Sequence, residues 1–269
     1  MDFVKLTEAQ QHAFDENGYL VVPNAISPEM IDQLTEVSDQ IVDSHERNGY
    51  YVQIRPGIVE EPRFWPLLAH SSTVPLVAQL LSPNIQLHTT AIIYKFPQPA
   101  DEQSIKERGW HRDAGISDDL GHRNQPRVGI KVGYCLTDFS ETRSGFTLFA
   151  SGSHLLQTSL PIPKGEVDPP DTVELCINSG DAFLFENRLF HTSAPNLSDH
   201  VSKVIILGYT YRWMGGRRET MQTVQPDETI LSQVNTVLKQ LMGGPSEGLI
   251  EWAREHDVMP EPIQWVMEV

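Results

Sequence analysis

Apolar residues along this chain recur first with a helical period, then with a strand period, then with a helical period again. "LTEAQQHAFDENGYLVV" predicts a short helix that ends near Asn17-Gly18 and feeds a strand. Ser27 then caps a longer amphipathic helix over "SPEMIDQLTEVSDQIVDSHERNG", with Pro28 at its first position and Asn48-Gly49 as its stop. "TVPLVAQLLS" predicts a further helix. From Ile85 onward the pattern changes: "IQLHTTAIIYKF", "RVGIKVGYCLTDF", "GFTLFAS", "TVELCI", "DAFLFEN" and "SKVIILGYTYRW" read as strands, parted by Gly, Pro, Asn and Asp turns. After Trp213 the helical pattern returns in "DETILSQVNTVLKQLMGG" and "SEGLIEWAREHD". The expected organisation is a single domain, with a helical N-terminal part over 1–82, a β core over 83–213 and a helical extension over 214–269. Many short strands between helical ends predict a mainly β fold with flanking helices, not alternating βαβ units, and a ligand would sit in the mouth of such a core.

Composition narrows the function classes. With 269 residues, 39% apolar and 8% aromatic, the chain can bury a large core. No apolar run approaches the ~20 residues of a membrane span, and "MDFVKLTEAQQ" lacks the basic and apolar regions of a signal peptide. Two cysteines, Cys135 and Cys176, are too few for a disulfide framework, so a reducing cytoplasm is the expected setting. A net charge of −16 argues against nucleic acid or an anionic membrane as partner. It also disfavours a polyanionic substrate unless a local basic pocket overrides the average. A small-molecule substrate is expected; the oligomeric state is not legible.

The segment 98–126 is long and irregular, and loops of that length inside a domain are usually functional or disordered. It contains "GWHRDAG". A chain with ten histidines is expected to contain about one His-x-Asp by composition, so the tripeptide needs support. His111 and Asp113 are alternate residues, and on extended chain they point the same way. A ferrous site that activates oxygen is built from two imidazoles and one carboxylate, with positions left open. The third ligand must then come from a distant strand. His191 in "DAFLFENRLFHTSAPNLSD" is the best placed, ahead of His88, His122, His154 and His200, although a lone strand histidine is more often a satisfied core residue.

Further segments carry a resemblance. "FDENGYLVVPNAIS", "WHRD", "IKVGYCLTDFSETRSGFTLFASGSH", "FENRLFHTSAPNLSD" and "GYTYRW" follow one another from about Phe14 to Trp213. In type and order they resemble the phytanoyl-CoA dioxygenase-like (PhyH) branch of the Fe(II)/2-oxoglutarate oxygenases, with Ala150 where the family usually has proline. The resemblance implies a double-stranded β-helix core (jelly-roll, cupin-like) in which His111, Asp113 and His191 hold iron. It implies Fe(II), 2-oxoglutarate as cosubstrate and O2. The activity it implies is oxidation of an unactivated C–H bond of a small-molecule metabolite, by hydroxylation or otherwise, with release of succinate and CO2. Halogenation is disfavoured, because a halogenating relative carries Ala or Gly where this chain has Asp113.

One position departs from the family. An arginine eleven residues after the distal histidine normally pairs with the outer carboxylate of 2-oxoglutarate, and that position here is Ser202. A buried carboxylate without a cation is costly. Lys203 alternates to the opposite face, and Arg212 lies about 33 Å further along the strand. Lys131 in "GIKVGY" is a better candidate, since some related oxygenases anchor the cosubstrate with a lysine from the equivalent region; the alternative is an outward-facing strand lysine. Arg55 in "YYVQIRPG" is a further candidate. Ser193, two past His191, matches a family position that bonds the same carboxylate, or else caps the following turn. Trp110 and the 114–126 loop, with His122 and Arg123, shape the substrate entrance or simply pack and solvate. Two other readings stay open: an iron-binding but inactive relative, for which Ser202 speaks, and a cupin-like protein that binds a ligand without redox chemistry.

Overall fold

Thr7 opens the first helix, α1 (Glu8–Asn17), because its side chain and that of Gln10 cap each other's backbone; Gly18 closes it in the left-handed conformation, at φ 83°. The computed structural model describes residues 4–55, 57–100, 108–113, 116–214 and 226–260. From Gly18 the chain enters β1 (Tyr19–Val22) and then α2 (Pro28–Asp43), where Ser27 Oγ accepts from the Met30 N–H at 3.3 Å. The longer helix expected to reach Asn48-Gly49 stops instead at Asp43. Ser44 Oγ and His45 Nδ1 both turn back onto the Ile41 carbonyl, at 2.7 and 2.8 Å, and this local bonding competes with a further helical turn.

The remaining strands are β2 (Tyr51–Ile54), β3 (Ile85–Lys95), β4 (Gly129–Cys135), β5 (Thr147–Ala150), β6 (Thr172–Glu174), β7 (Ala182–Glu186), β8 (His191–Ser193) and β9 (Ser202–Tyr211). They form two antiparallel sheets, a larger one in the order β1-β7-β4-β9-β3-β2 and a smaller one in the order β6-β5-β8. A bridge between His111 and His191 adds the His-x-Asp segment to the free side of β8. This is a double-stranded β-helix with helices against the outer face of its larger sheet. β2 and β8 are too short for their period to show as strands in sequence.

The pattern of β7 explains the layering. Its "AFLF" is buried on both faces, so it reads as an apolar run and not as an alternation. Ala182 and Leu184 join the core under the helices, with Leu34, Val77, Val132 and Leu207. Phe183 and Phe185 face the space between the sheets, with Phe139, Phe146 and Phe149. Each buried phenylalanine contributes about 1.5–3 kcal/mol of transfer free energy.

One irregularity in β3 positions the site. Leu87 pairs with Tyr209 and Thr89 with Gly208, so His88 is an extra residue opposite no partner. Before this bulge Ile85 and Leu87 face the helices; after it Ile92 and Tyr94 do, and Thr89, Ala91, Ile93 and Lys95 turn inward. The C-terminal helix expected over 227–244 is broken in two, Glu228–Gln233 and Thr236–Leu241, because the Asn235 side chain caps the second by accepting from Leu238 N–H at 2.9 Å. A last helix, Gly248–Glu255, follows as expected. Residues 101–107, 114–115, 215–225 and 261–269, on which parts of the expected loop and C-terminal extension fall, lie outside the described residues. Both cysteines are free, Cys135 buried and Cys176 exposed. No helix among the described residues is long and apolar enough to cross a membrane.

Candidate metal centre

The His-x-Asp segment is held as extended chain by its backbone. His111 exchanges both N–H···O bonds with His191, at 3.1 and 3.0 Å, and the Asp113 N–H donates to the Asn187 carbonyl at 2.9 Å. Upstream, Arg108 forks onto Asp168 at 2.8 and 3.2 Å, and the Gly109 N–H donates to Thr192 Oγ1 at 3.0 Å. Arg112 points away into buried structure, donating to the carbonyls of Ser153 and Leu156 and lying over the Phe190 ring. Its neighbours on either side, His111 and Asp113, therefore share the face that looks between the sheets.

The two imidazoles are oriented alike. His111 Nδ1 bonds the Gly109 carbonyl at 2.7 Å and His191 Nδ1 bonds the Leu189 carbonyl at 3.0 Å. Each carbonyl accepts a hydrogen bond from Nδ1–H, which leaves Nε2 as the free lone pair, the arrangement expected of metal-ligating histidines. Both Nε2 atoms face Asp113, at 3.9 Å from Oδ1 and 3.6 Å from Oδ2. One ligand atom from each of the three residues lies within 4.8 Å of the others. Asp113 Oδ2 is buried and has no hydrogen-bond partner. A buried carboxylate oxygen is not normally left bare, so this orphan, flanked by two free imidazole nitrogens, fits a missing cation. Two imidazoles and one carboxylate suit ferrous iron with open positions, and the His111 side chain, 55% exposed, leaves one flank accessible.

Electrostatics acts on the same three groups. Burial pushes the Asp113 carboxyl up, but the charge of Lys131 and its hydrogen bond to the group outweigh this and hold it below the usual carboxylate range. Burial lowers His191 to about 4, against the pull of Asp113, which keeps its imidazole neutral near pH 7. Lys131 points inward: its Nζ donates to Asp113 Oδ1 at 2.6 Å. Arg55 donates to Thr89 Oγ1 at 2.7 Å, and Ser193 sits exposed just past His191. All three line the cavity of about 250 Å³ that contains the triad, and an adjoining cavity of about 90 Å³ shares Arg55, Asp113 and Lys131 and adds His88. Three cations therefore enter a cavity with one carboxylate: Lys131, Arg55 and Lys95.

The structure thus brings together His111, Asp113, His191, Lys131, Ser193 and Arg55. Lys203 lies outside, paired with Asp39 at 2.7 Å. Among the described residues neither Arg212, His122, Arg123 nor Trp110 lines either cavity, and the Trp110 indole donates to Asp168 at 3.1 Å. His154 bonds the Asp15 carbonyl at 3.0 Å and packs on Gly18, a structural role. Sequence reasoning missed Lys95. The signal that could have found it was the polar "LHTT" interruption in an otherwise apolar strand, which marks the bulge.

The chain compares with known proteins as follows. It is 29% identical over 119 residues to the dioxygenase trt7 of Aspergillus terreus, an alignment that spans 44% of this chain and 38% of that relative's length. The crystal structure of HygX from Streptomyces hygroscopicus with nickel and 2-oxoglutarate bound superposes with a TM-score of 0.61 at 16% identity, over 77% of this chain and 87% of that one. The non-haem α-ketoglutarate-dependent epimerase SnoN from nogalamycin biosynthesis superposes with a TM-score of 0.58 at 18% identity, over 76% and 81%. The family described as phytanoyl-CoA dioxygenase (PhyH) matches residues 14–204. That match takes in both imidazoles, the carboxylate between them and the strands that carry them, and it makes this chain a member of the phytanoyl-CoA dioxygenase family, and so of the Fe(II)/2-oxoglutarate-dependent oxygenases.

Proposed function

We propose that the protein oxidises an unactivated C–H bond of a small-molecule metabolite, with hydroxylation as the outcome, using Fe(II), 2-oxoglutarate and O2 and releasing succinate and CO2. The observation that carries this reading is the orphaned Asp113 Oδ2 between two imidazoles whose Nε2 atoms are free. His111, Asp113 and His191 hold the iron. When bound, iron supplies the activation of dioxygen, coupled to decarboxylation of the oxo-acid. Lys131, 2.6 Å from Asp113, neutralises negative charge at the metal end of the cavity, and Arg55 and Ser193 offer donors to the cosubstrate along its wall. Asp113 fills the position that a halide would need, which favours oxygen transfer.

The substrate is argued from the cavity. At about 250 Å³, with a smaller chamber adjoining it, the space suits a compact molecule and not a long acyl chain. Tyr51 and Gln53 of edge strand β2, and Arg55 just past its end, line it, so both apolar and polar groups are available to a metabolite. HygX has been crystallised with hygromycin B and SnoN acts as an epimerase, so this fold also accommodates substrates and outcomes other than simple hydroxylation. The free thiols fit a reducing compartment such as the cytoplasm.

Protein loaded anaerobically with Fe(II), then given 2-oxoglutarate and oxygen, is expected to release succinate slowly even with no second substrate. His191→Ala should lower both bound metal and succinate to background. Metal binding in the parent with no succinate formed would instead support the inactive relative, and metal retained by His191→Ala would remove the site itself.

A further inference from the structure

Ser202 leaves the outer carboxylate of a bound oxo-diacid without the cation that family members supply from that position. β9 pairs with β3 in a register that sets Ser202 directly opposite Lys95, and both residues line the cavity. Lys95 is buried, with 8% of its surface exposed. Its Nζ donates to the carbonyl of Gly145 and, at 3.3 Å, to that of Ala194. An ammonium has three protons, so two carbonyls leave one unspent. Among the described residues no carboxylate lies within ion-pairing distance of it; Glu174 acts only at longer range. Burial lowers this lysine to about 7, so the fold maintains a poorly solvated amine beside a cavity, with nothing of its own to neutralise it. Ser144, in the turn whose carbonyl accepts from Ser202 Oγ, has a buried hydroxyl with no partner, a second polar group lacking an acceptor or donor at this end.

The position along the cavity is also right. Lys95 reaches Ala194, three residues of extended chain past His191, or about 10 Å of strand from the metal ligand. Lys131 occupies the opposite end, in contact with Asp113 itself. The two lysines therefore bracket the cavity, one at the metal and one at its far wall, as a chelating diacid needs. Resting on the 2-oxoglutarate-dependent reading above, we infer that Lys95 on β3 is the cation that pairs with the outer carboxylate of the cosubstrate, in the space that an arginine at position 202 would otherwise fill.

The test compares two ligands that differ only at that end: 2-oxoglutarate and 2-oxobutanoate, which keeps the chelating oxo-acid and lacks the far carboxylate. Binding is measured by calorimetry without oxygen on protein loaded with Mn(II), for the parent, Lys95→Met, Lys95→Gln, Lys131→Met and the exchange Lys95→Met with Ser202→Arg. Losing one partner of a buried charge pair is expected to weaken 2-oxoglutarate by about 100-fold in both single variants. 2-Oxobutanoate should change by less than about threefold and Mn(II) affinity should be unaltered, while the exchange variant recovers most of the loss. Lys95→Gln serves as the readout if Lys95→Met does not fold. The inference is overturned if the single variants bind 2-oxoglutarate as the parent does, if both ligands weaken equally, or if only Lys131→Met shows the diacid-selective loss. A parent that binds Mn(II) but no 2-oxoglutarate overturns the functional reading, and this inference falls with it.

Discussion

Lys95 lowers the stability of the ligand-free protein, and the sign of that effect can be tested. A lysine in an unfolded chain titrates near 10.4, whereas burial, opposed only by distant Glu174, brings Lys95 to about 7 in the fold. Between those two values the unfolded chain holds a proton that the folded one has released, so stability rises with pH across that window. Below about pH 7 both states are charged and the full desolvation penalty remains. Lys95→Met keeps the length of the side chain and removes the charge. It is expected to raise ligand-free stability by about 2–4 kcal/mol near pH 6, with the gain shrinking towards zero as the pH approaches about 10. Urea midpoints across that range would show it, and a gain that is flat with pH would mean that packing, not charge, is responsible. A residue that weakens the fold and faces a ligand cavity is the usual exchange of stability for function.

At the scale of elements, β4 makes room for the aromatic ring that its neighbour β7 sends into the space between the sheets. Gly133 lies across from Phe183, and a Cβ there would stand 2.2 and 2.3 Å from ring atoms of Phe183 and 2.9 Å from Ile206 Cδ1. The ring has no room to retreat, because Phe146 and Phe185 pack against it at centroid distances of 4.8 and 6.0 Å. Gly133→Ala is therefore expected to destabilise by about 1–3 kcal/mol, through overpacking alone. An unchanged urea midpoint would show that the Phe183 ring shifts more freely than these contacts allow. The strands that were legible in sequence are those whose side chains keep one alternation of faces throughout. β9 is the clearest: Ser202 inward and Lys203 outward follow from simple alternation. β3 was legible as a strand but not as to its faces. Period-two counting from Ile85 and Leu87 sends Lys95 towards the helices, and the single extra residue at His88 sends it into the cavity instead. The breaks at Ser44 and Asn235 were missed for a related reason, since one polar side chain bonding the backbone overrides a continuing apolar pattern.

For the whole molecule, the site depends on contacts that local periodicity cannot reveal. His111 and His191 are neighbours only because the smaller sheet closes through their mutual backbone pair. Position gave His191 a preference in sequence, and the order of spaced motifs strengthened it; a net charge of −16 disfavours a polyanionic substrate unless a local basic pocket overrides the average, and the cavity gathers Lys95, Lys131 and Arg55. A cation bound at the triad would fasten the His-x-Asp segment to β8 and relieve the bare oxygen of Asp113, two features the unfolded chain lacks. Binding to the native state alone stabilises by about 2.7 kcal/mol at a free metal concentration 100 times Kd. For a chain of this size that corresponds to a rise in Tm of roughly 5–10 °C. Manganese or nickel, which avoid oxidation, should produce the shift in a thermal melt, and a chelator should reverse it. His191→Ala should melt at the same temperature with and without metal; a shift that survives in that variant would put the ion somewhere other than between the two imidazoles and Asp113.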